Sequence, residues 1–320
     1  MRVLVTGAYG FIGTHIVAAL LRAGHEPVAA VRASRVGAAL PGVAAIDCDF
    51  ARDTDAGVWL PRLAGIDAVV NCAGILHEAV PAALFDACRQ SGVKRIVQVS
   101  ALGDPADGGF IASKHRGDAY LLACGVDAAV LRPSVVYSTR GSYGGTTLLR
   151  GLAALPWVPL PGRGDQRLQP LDAEDLAQAV LAALTRDEAV GCCLELGGPQ
   201  AMALREYLAL WRRWLGSDEA RFVAIPKPLA RIGAWLGERL GRSSLGMTMW
   251  RMLERGNVVA PEAVERTHAA LGWSPARMDA ALARASSSSA DRWQARTVFL
   301  QPLLRAVLAI TFIASGLVGF

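Results

Sequence analysis

Short apolar runs alternate with helical patterns through the first part of the chain. The apolar runs, which we interpret as strands, lie at 1–6, 27–32, 43–47, 67–72, 95–100 and 127–132. Apolar residues at helical spacing occur between them, at 10–23, 80–91 and 113–123. Strands that are apolar on both faces and alternate with helices are typical of a parallel sheet covered on both sides. The pattern predicts an α/β fold with a doubly wound parallel sheet.

The alternation loosens after residue 133. The pattern predicts a Pro/Gly loop at 156–164, helices at 173–183, 204–215 and 228–240, and a strand at 192–196. Such a region commonly closes over one edge of a cofactor to make a substrate pocket. We therefore divide the chain into a nucleotide-binding core (1–140), a smaller substrate-side region packed on it (141–284) and a flexible, serine-containing linker (285–297).

The C-terminal segment 298–320 is apolar apart from Arg305. We expect a transmembrane helix here if it begins near Val298 or continues beyond Phe320, because a span needs roughly twenty apolar residues. The alternative is an amphipathic or buried terminal helix. Arg292 and Arg296 precede the segment, so the positive-inside tendency places the upstream chain in the cytoplasm, at the inner membrane.

The distribution of charge and of cysteines bears on which partners and metals the protein could bind. The net charge is +5, but there is no run of basic residues, and Lys94, Lys114 and Lys227 are the only lysines among 33 basic residues. This distribution resembles a coding bias and argues against a nucleic-acid partner. The six cysteines are scattered among apolar residues without metal-ligand spacing, which predicts no metal site and a reducing compartment.

The segment TGAYGFIG, residues 6–13, has the G-x-x-G-x-x-G spacing between the first strand and the first helix. Gly7 permits a tight turn, Gly10 lets the backbone approach a pyrophosphate, and Gly13 allows helix and sheet to pack closely. The helix N-terminus adds unpaired N–H groups and positive potential. Its position at the head of the alternating pattern predicts a dinucleotide site.

The residues after the second and third strands bear on which dinucleotide is bound. The second strand is followed by Arg32 and Arg35 and lacks the carboxylate that would bind a ribose 2′-hydroxyl. Two guanidinium groups favour a 2′-phosphate, so we expect NADP(H) in preference to NAD(H). The alternative is that both arginines are solvated loop residues. After the third strand, Asp49 is placed to accept from the adenine amino group, whereas Asp47 can face solvent.

Several motifs together resemble the atypical short-chain dehydrogenase/reductases. They are GAYGFIG at 7–13, DCDF at 47–50, NCAGI at 71–75, QVSALG at 98–103, SK at 113–114 and LRPSVVY at 131–137. The most similar subgroup is that of the NADPH-binding accessory subunit of respiratory complex I. Bacterial members of this subgroup often carry a DoxX-like membrane domain, and residues 292–320 resemble its beginning.

The resemblance implies a Rossmann-type core that binds NADP(H), with the nicotinamide near Ser100, Lys114 and residues 133–136. The cofactor-binding residues it implies, together with those argued above, are Gly7, Tyr9, Gly10, Phe11, Ile12, Gly13, Arg32, Arg35, Asp49, Phe50, Cys72, Ala73, Gly74, Lys114, Pro133, Val135 and Val136.

One residue departs from the pattern of these reductases. A tyrosine four residues before Lys114 would donate a proton to a substrate carbonyl, helped by the lysine ammonium and a serine hydroxyl. Ser100 and Lys114 match these two roles, but Phe110 stands in place of the tyrosine. General acid catalysis typically contributes ~10²- to 10⁴-fold, so carbonyl reduction should be weak. Lys114 keeps the task of binding the nicotinamide ribose.

Other residues could supply the proton instead. Tyr137, which follows the sixth strand near the expected nicotinamide, is the preferred candidate catalytic residue beside Ser100 and Lys114. The alternatives by proximity are His77, His115, Tyr120 and Tyr143. His115 and Tyr120 lie elsewhere around the same helix as Lys114, which favours core or surface roles for them.

Three functions remain open from the sequence. The first is a membrane-tethered NAD(P)H-binding oxidoreductase with weak or altered activity, acting on an apolar or quinone-like small molecule. The second is a non-catalytic, NADPH-binding structural or redox-sensing module. The third is a nucleotide-sugar epimerase or dehydratase, which needs the same missing tyrosine.

Overall fold

The structure, a computed structural model, describes residues 1–36, 40, 42–74, 79–217, 219–239 and 246–318. They form two compact units. The first unit comprises 1–138, 167–201 and 251–278, and the second comprises 139–166, 202–250 and 279–320. Because the chain leaves the first unit and returns to it twice, the two units interleave along the sequence.

The strands are short and are numbered in chain order. They are β1 (Arg2–Thr6), β2 (Glu26–Val31), β3 (Ala44–Asp47), β4 (Ala68–Asn71), β5 (Arg95–Val99), β6 (Ala128–Pro133), β7 (Val136–Tyr137), β8 (Trp157–Pro161), β9 (Arg167–Leu168), β10 (Leu171–Asp172), β11 (Cys193–Leu196), β12 (Met202–Ala203) and β13 (Arg221–Ile225).

The helices alternate with these strands in the first half of the chain and dominate the second half. They are α1 (Phe11–Arg22), α2 (Ala33–Val36), α3 (Ala56–Trp59), α4 (Ala79–Ser91), α5 (Gly109–Ala123), α6 (Gly145–Ala153), α7 (Ala173–Thr185), α8 (Leu204–Trp214), α9 (Lys227–Arg239), α10 (Met247–Arg255), α11 (Pro261–Leu271), α12 (Met278–Ala283), α13 (Ser289–Thr297) and α14 (Leu300–Val318). Short 3-10 helices lie at Leu60–Leu63, Pro105–Asp107 and Asp187–Ala189.

The first unit is built on a parallel sheet of seven strands within the described residues, in the order β11-β6-β5-β4-β1-β2-β3. The predicted doubly wound, Rossmann-like parallel sheet is thereby confirmed. The strand order reverses between β1 and β4, and ligands of such sheets bind outside the carboxyl ends of the strands at this reversal.

Both faces of this sheet are covered, as the two-sided apolar runs predict. On β1, Val3 and Val5 pack into a cluster on one face with residues of α1 and α7. Leu4, between them, belongs to the cluster on the other face, together with Trp59 and Phe85. Each fully buried large aliphatic side chain contributes about 1.5–3 kcal/mol relative to exposure, so these two clusters hold the helices on the sheet.

The second unit contains a strand pair that corrects one prediction. Residues 156–164 are predicted to be a loop, but Trp157–Pro161 form β8, which pairs in parallel with β13. Val158 and Leu160 are buried while their neighbours are not. This alternation of buried side chains, hidden among prolines, makes the segment a strand.

Within the segment predicted to be a linker, 285–297, residues Ser289–Thr297 form α13. Ser288 caps this helix: its hydroxyl accepts from the Asp291 N–H at 3.1 Å, and the Asp291 carboxylate accepts from the Ser288 N–H at 2.9 Å. Asp291 also pairs with the buried guanidinium of Arg150 on α6 at 2.7 Å. These contacts order the segment within its unit.

The transmembrane helix predicted for 298–320 is not found in the part of this segment that the structure describes. A terminal helix, α14, is present, yet within the described residues none of the helices combines the length and the apolar character that crossing a membrane requires. Arg305 lies near the start of α14 and is exposed. The uncharged part of the helix, 306–318, is therefore shorter than the roughly twenty residues of a span.

Candidate functional site

The glycine turn after β1 is closed by the backbone. Gly7 has φ +67°, a conformation that favours glycine, and the Gly10 N–H donates to the Gly7 carbonyl at 2.8 Å. A Cβ on Gly7 would lie 3.0 Å from the Cys72 carbonyl oxygen and 3.1 Å from the Ala73 backbone. The turn after β1 and the loop after β4 therefore approach each other as closely as backbones can.

Helix α1 rests directly on this turn. A Cβ on Gly13 would lie 2.1 Å from the Gly7 carbonyl oxygen, so no other residue fits there without movement. The helix begins at Phe11, followed by Ile12, and Gly10 as its N-cap residue offers no side-chain cap. Its first N–H groups are thus left for a ligand, and the glycines leave room for a pyrophosphate beside them. Tyr9, within the turn, accepts from the Leu40 N–H at 3.3 Å.

Arg32 and Arg35 follow β2 and are exposed. Arg35 lies in the one-turn helix α2, and its N–H donates to the Arg32 carbonyl at 2.7 Å. Neither guanidinium has an ion-pair partner among the residues that the structure describes, and no carboxylate ends β2. Both side chains are therefore available to an anion at this edge of the sheet.

The loop after β3 is held by one buried carboxylate. Asp53 accepts from the Asp49 N–H at 2.8 Å, from Arg62 at 2.6 Å and from Arg52 at 3.0 Å. Burial alone would raise the pKa of Asp53, but the hydrogen bonds from Arg62 and Arg52 outweigh it, so the pKa is lowered. Asp47 does not merely face solvent, because it pairs with Arg52 at 2.8 Å.

This loop carries Asp49, predicted to accept from the adenine amino group, and Phe50, another predicted cofactor-binding residue. The Asp49 carboxylate accepts from the Ala51 N–H at 3.0 Å, which leaves acceptor capacity for a ligand. The Phe50 ring packs on Trp59 with ring centroids 5.3 Å apart. Both side chains are half-buried and lie just beyond the carboxyl end of β3.

A buried polar network links the carboxyl ends of the central strands. Thr6 on β1, Asn71 on β4 and Gln98 on β5 are in register across the sheet. The Thr6 hydroxyl donates to the Asn71 side-chain oxygen, and the Asn71 amide donates to Gln98 at 2.7 Å. Sequence reasoning missed this network, although a single polar residue at the end of each apolar run was a visible signal.

The loop after β4 is held by hydrogen bonds to Asn71 and Thr6, two residues of that network. The Ala73 N–H donates to the Asn71 side chain at 3.4 Å, and the Cys72 thiol donates to the Thr6 carbonyl at 2.8 Å. Burial raises the pKa of Cys72 to about 12, with the charge of Lys114 opposing it, so the thiol stays protonated. Gly74 is exposed at the end of this loop. The candidate His77 lies outside the described residues.

Lys114 on α5 joins the ends of β4 and β5. Its ammonium donates to the carbonyl of Ala73 at 3.1 Å and to that of Val99 at 3.2 Å, and the side chain is buried. Burial lowers the pKa of Lys114, while the charge of Asp118 opposes this shift. Two of the three ammonium hydrogens are thus used inside the protein, and one remains for a ligand.

Ser100 is bound to a partner that sequence reasoning missed. Its hydroxyl donates to the Asp118 carboxylate at 2.7 Å, and Arg132 on β6 donates to the same oxygen at 2.9 Å. Asp118 is only 1% exposed. Its place on α5, one turn beyond Lys114, was the available signal.

Phe110 lies in the first turn of α5, four residues before Lys114, and is 36% exposed. Residues four apart share a helix face, so Phe110 occupies the position expected of a proton-donating tyrosine. The Ser113 hydroxyl donates to the Phe110 carbonyl at 3.0 Å. The Ser113 hydroxyl hydrogen is therefore used within α5.

The segment after β6 is fixed through its backbone. The Pro133 carbonyl accepts from the Leu102 N–H and the Val135 carbonyl accepts from the Leu171 N–H, both at 2.9 Å. Val136 and Tyr137 form β7, which pairs with β10. Tyr137, the preferred replacement proton donor, is 1% exposed, so its side chain lies in the core.

The other candidate donors are engaged elsewhere in the first unit or belong to the second unit. Tyr120, which is itself exposed, donates to the Asp86 carboxylate at 2.8 Å. Tyr143 is 75% exposed and belongs to the second unit. Burial, followed by the charge of Arg132, lowers the pKa of His115 and keeps it neutral near pH 7.

Known proteins resemble this chain in sequence and in fold. Residues 3–193 match the NAD dependent epimerase/dehydratase family. The chain belongs to this family. The match supports the resemblance to atypical short-chain dehydrogenase/reductases, and members of the family bind nicotinamide dinucleotides.

Individual relatives point the same way. The chain is 26% identical over 262 residues to NADH dehydrogenase [ubiquinone] 1 alpha subcomplex subunit 9, mitochondrial, from Arabidopsis thaliana, a match that covers 71% of this chain and 61% of that protein. It is 29% identical to the 3-diazoavenalumate denitrifying reductase of a Streptomyces species, covering 86% of this chain and 96% of that one. These matches give no support to a DoxX-like membrane region, so that expectation is withdrawn.

The fold has solved counterparts. One is the NADPH-dependent quinone oxidoreductase QOR2 of Escherichia coli complexed with NADPH, with a TM-score of 0.67, 17% identity, and coverage of 88% of this chain and 99% of that one. At this identity the likeness concerns the fold alone.

Proposed function

We propose that the chain is an NADP(H)-binding reductase whose proton chemistry differs from that of the tyrosine-dependent members of its family. The observation that carries the proposal is the pairing of an intact glycine turn and a positioned Lys114 with phenylalanine at residue 110. The first two support dinucleotide binding. The third weakens proton donation without affecting binding.

The preference for NADP(H) rests on Arg32 and Arg35, which are exposed beside the end of β2 where a carboxylate would disfavour a 2′-phosphate. Hydrogen bonds to charged groups contribute about 1.5–3 kcal/mol. An Arg32→Ser/Arg35→Ser variant should therefore bind NADPH ~10- to 100-fold more weakly, with little change for NADH. Arg22→Ser, which removes an exposed charge at the far end of α1, is the matched control.

That experiment is a calorimetric titration of NADPH and NADH into the three proteins. Equal losses for both coenzymes, or equal effects of the control and the double variant, would contradict the proposed preference. Absence of NADPH binding by the unmodified chain would refute the proposed function as a whole.

When bound, a reduced nicotinamide supplies a hydride. Lys114 would hold its ribose with the remaining ammonium hydrogen, and the loops after β4 and β6 would border it. Phe110 offers an apolar ring where a phenol would donate, so simple aldehydes and ketones should be poor substrates. The reductase relative supports a redox role, and an apolar or quinone-like acceptor is consistent with the ring at position 110.

A second candidate is a non-catalytic NADPH-binding module, which Phe110 also favours, as does the complex I subunit among the relatives. Steady-state NADPH oxidation with a panel of carbonyls and quinones separates the two. Turnover of any acceptor supports the reductase, whereas NADPH binding without turnover supports the module.

A further inference from the structure

Within the described residues, three polar side chains of α5 and the end of β5 carry hydrogens that could serve this site, and most of these hydrogens are already used inside the protein. The Ser100 hydroxyl donates to Asp118 at 2.7 Å, and the Ser113 hydroxyl donates to the Phe110 carbonyl at 3.0 Å. Lys114 donates to two backbone carbonyls. In the proposed function, its remaining ammonium hydrogen binds the nicotinamide ribose. The Phe110 side chain has no polar hydrogen.

The bond from Ser100 is a strong one. Asp118 is 1% exposed, and Arg132 donates to the same carboxylate oxygen at 2.9 Å. A carboxylate only accepts hydrogen bonds, so it fixes the serine hydrogen in its own direction. Turning this hydrogen toward a substrate would leave a buried carboxylate short of one partner, which is costly. Ser100 can thus offer lone pairs to a substrate but not a proton.

We propose that this site acts on hydride acceptors whose reduced form is a delocalised anion, such as quinones, and that water supplies the proton. The inference rests on the proposed function, because NADPH is the reductant. The C–H bond of the dihydronicotinamide breaks and its electron pair forms the new bond to the acceptor, which becomes an anion, while the coenzyme becomes NADP⁺. The acceptor's π bond opens as the hydride arrives, and its electron pair becomes the negative charge. A water molecule then protonates this anion and the hydroxide left behind takes up a solvent H⁺, so one acceptor, one NADPH and one H⁺ give the reduced acceptor and NADP⁺.

The reason for this class is the basicity of the product anion. A saturated alkoxide needs a proton as it forms, which is why an acid contributes ~10²- to 10⁴-fold. An anion spread over a conjugated ring forms without that help. The 36% exposed ring of Phe110 also suits a flat aromatic acceptor, because aromatic rings pack favourably on one another.

The test uses two acceptors built on the same ring system, 1,4-naphthoquinone and 2-naphthaldehyde. Both are assayed with NADPH in the unmodified chain and in Phe110→Tyr. The unmodified chain should reduce the quinone and leave the aldehyde nearly untouched. Phe110→Tyr should raise aldehyde turnover relative to quinone turnover ~100-fold or more. Reduction of both acceptors at similar rates by the unmodified chain, or an unchanged ratio in the variant, would overturn the proposal.

A second readout does not depend on turnover. In Phe110→Tyr the new phenol shares a helix face with the Lys114 ammonium, which should bring its pKa below the usual value of about 10. The ultraviolet difference titration of tyrosinate between variant and unmodified chain measures this, with Phe110→Tyr/Lys114→Met as control and circular dichroism to verify folding. An unshifted phenol would contradict the assignment of position 110 as the missing acid. Calorimetry with NADPH separates the failures: no NADPH binding refutes the proposed function, and NADPH binding without reduction of either acceptor refutes this inference alone.

Discussion

Replacing Gly13 by alanine tests the contact between α1 and the glycine turn. The added Cβ would lie 2.1 Å from the Gly7 carbonyl oxygen and 2.9 Å from the Ala8 Cα. Ordinary contacts need about 3.5 Å, and both neighbours are backbone, so the helix must withdraw by more than ~1 Å. Overpacking costs about 1–3 kcal/mol, and the upper end applies here, which corresponds to a fall in Tm of about 6–12 °C.

The same displacement moves the helix N-terminus away from the pyrophosphate. We expect the Kd for NADPH to rise at least ~10-fold, a loss of about 1.4 kcal/mol. Gly117→Ala is the matched control, because Gly117 lies inside α5 and its Cβ would meet nothing within 4 Å. It should leave stability unchanged or raise it by up to ~1 kcal/mol. Calorimetric melting and NADPH titration measure both variants. If Gly13→Ala melts and binds like the unmodified chain, the close packing of turn and helix is refuted.

Three further predictions concern individual contacts. Asp53→Asn should lower the free energy of unfolding by about 3 kcal/mol at neutral pH, because it breaks the buried pair with Arg62. The folded-state pKa of Asp53 is lowered. The stability that its carboxylate contributes is therefore present above the ordinary carboxyl pKa and is lost as the pH falls through the lower folded-state pKa. Urea unfolding at falling pH should therefore show the two proteins converging below about pH 4, and a constant difference would contradict this. Arg150→Met should likewise lower the free energy of unfolding by about 3 kcal/mol, because it removes the ion pair with Asp291 and the stacking on Trp214. It should also make residues 289–297 susceptible to limited proteolysis. An unchanged digestion pattern would contradict this role of Arg150. Cys72, with its pKa near 12, should be alkylated over ~1000-fold more slowly at about pH 8 than in the urea-unfolded chain, and equal labelling rates would refute its protonated state.

The main sheet could be predicted from the sequence because each of its strands is a short apolar run between helical patterns. The six predicted N-terminal strands are found within one or two residues of their expected bounds, and the strand predicted at 192–196 forms β11. The glycine turn was equally accessible, since only glycine tolerates the positive φ of Gly7 and the missing Cβ at Gly13.

Other features depend on contacts between distant segments. That β11 joins the sheet beside β6 follows from packing that no local pattern records. The strand β8 was hidden because its prolines indicate a loop, although Val158 and Leu160 alternate. The bond from Ser100 to Asp118 depends on how α5 lies on β5, so the sequence marked the serine as a candidate but not its partner.

The central claim is that the carboxyl edge of this sheet binds NADP(H), and isothermal titration tests it most directly. NADPH and NADH are titrated separately into the unmodified chain. The account predicts a Kd for NADPH below ~100 µM and weaker binding of NADH. Absence of binding heat from both coenzymes would contradict it.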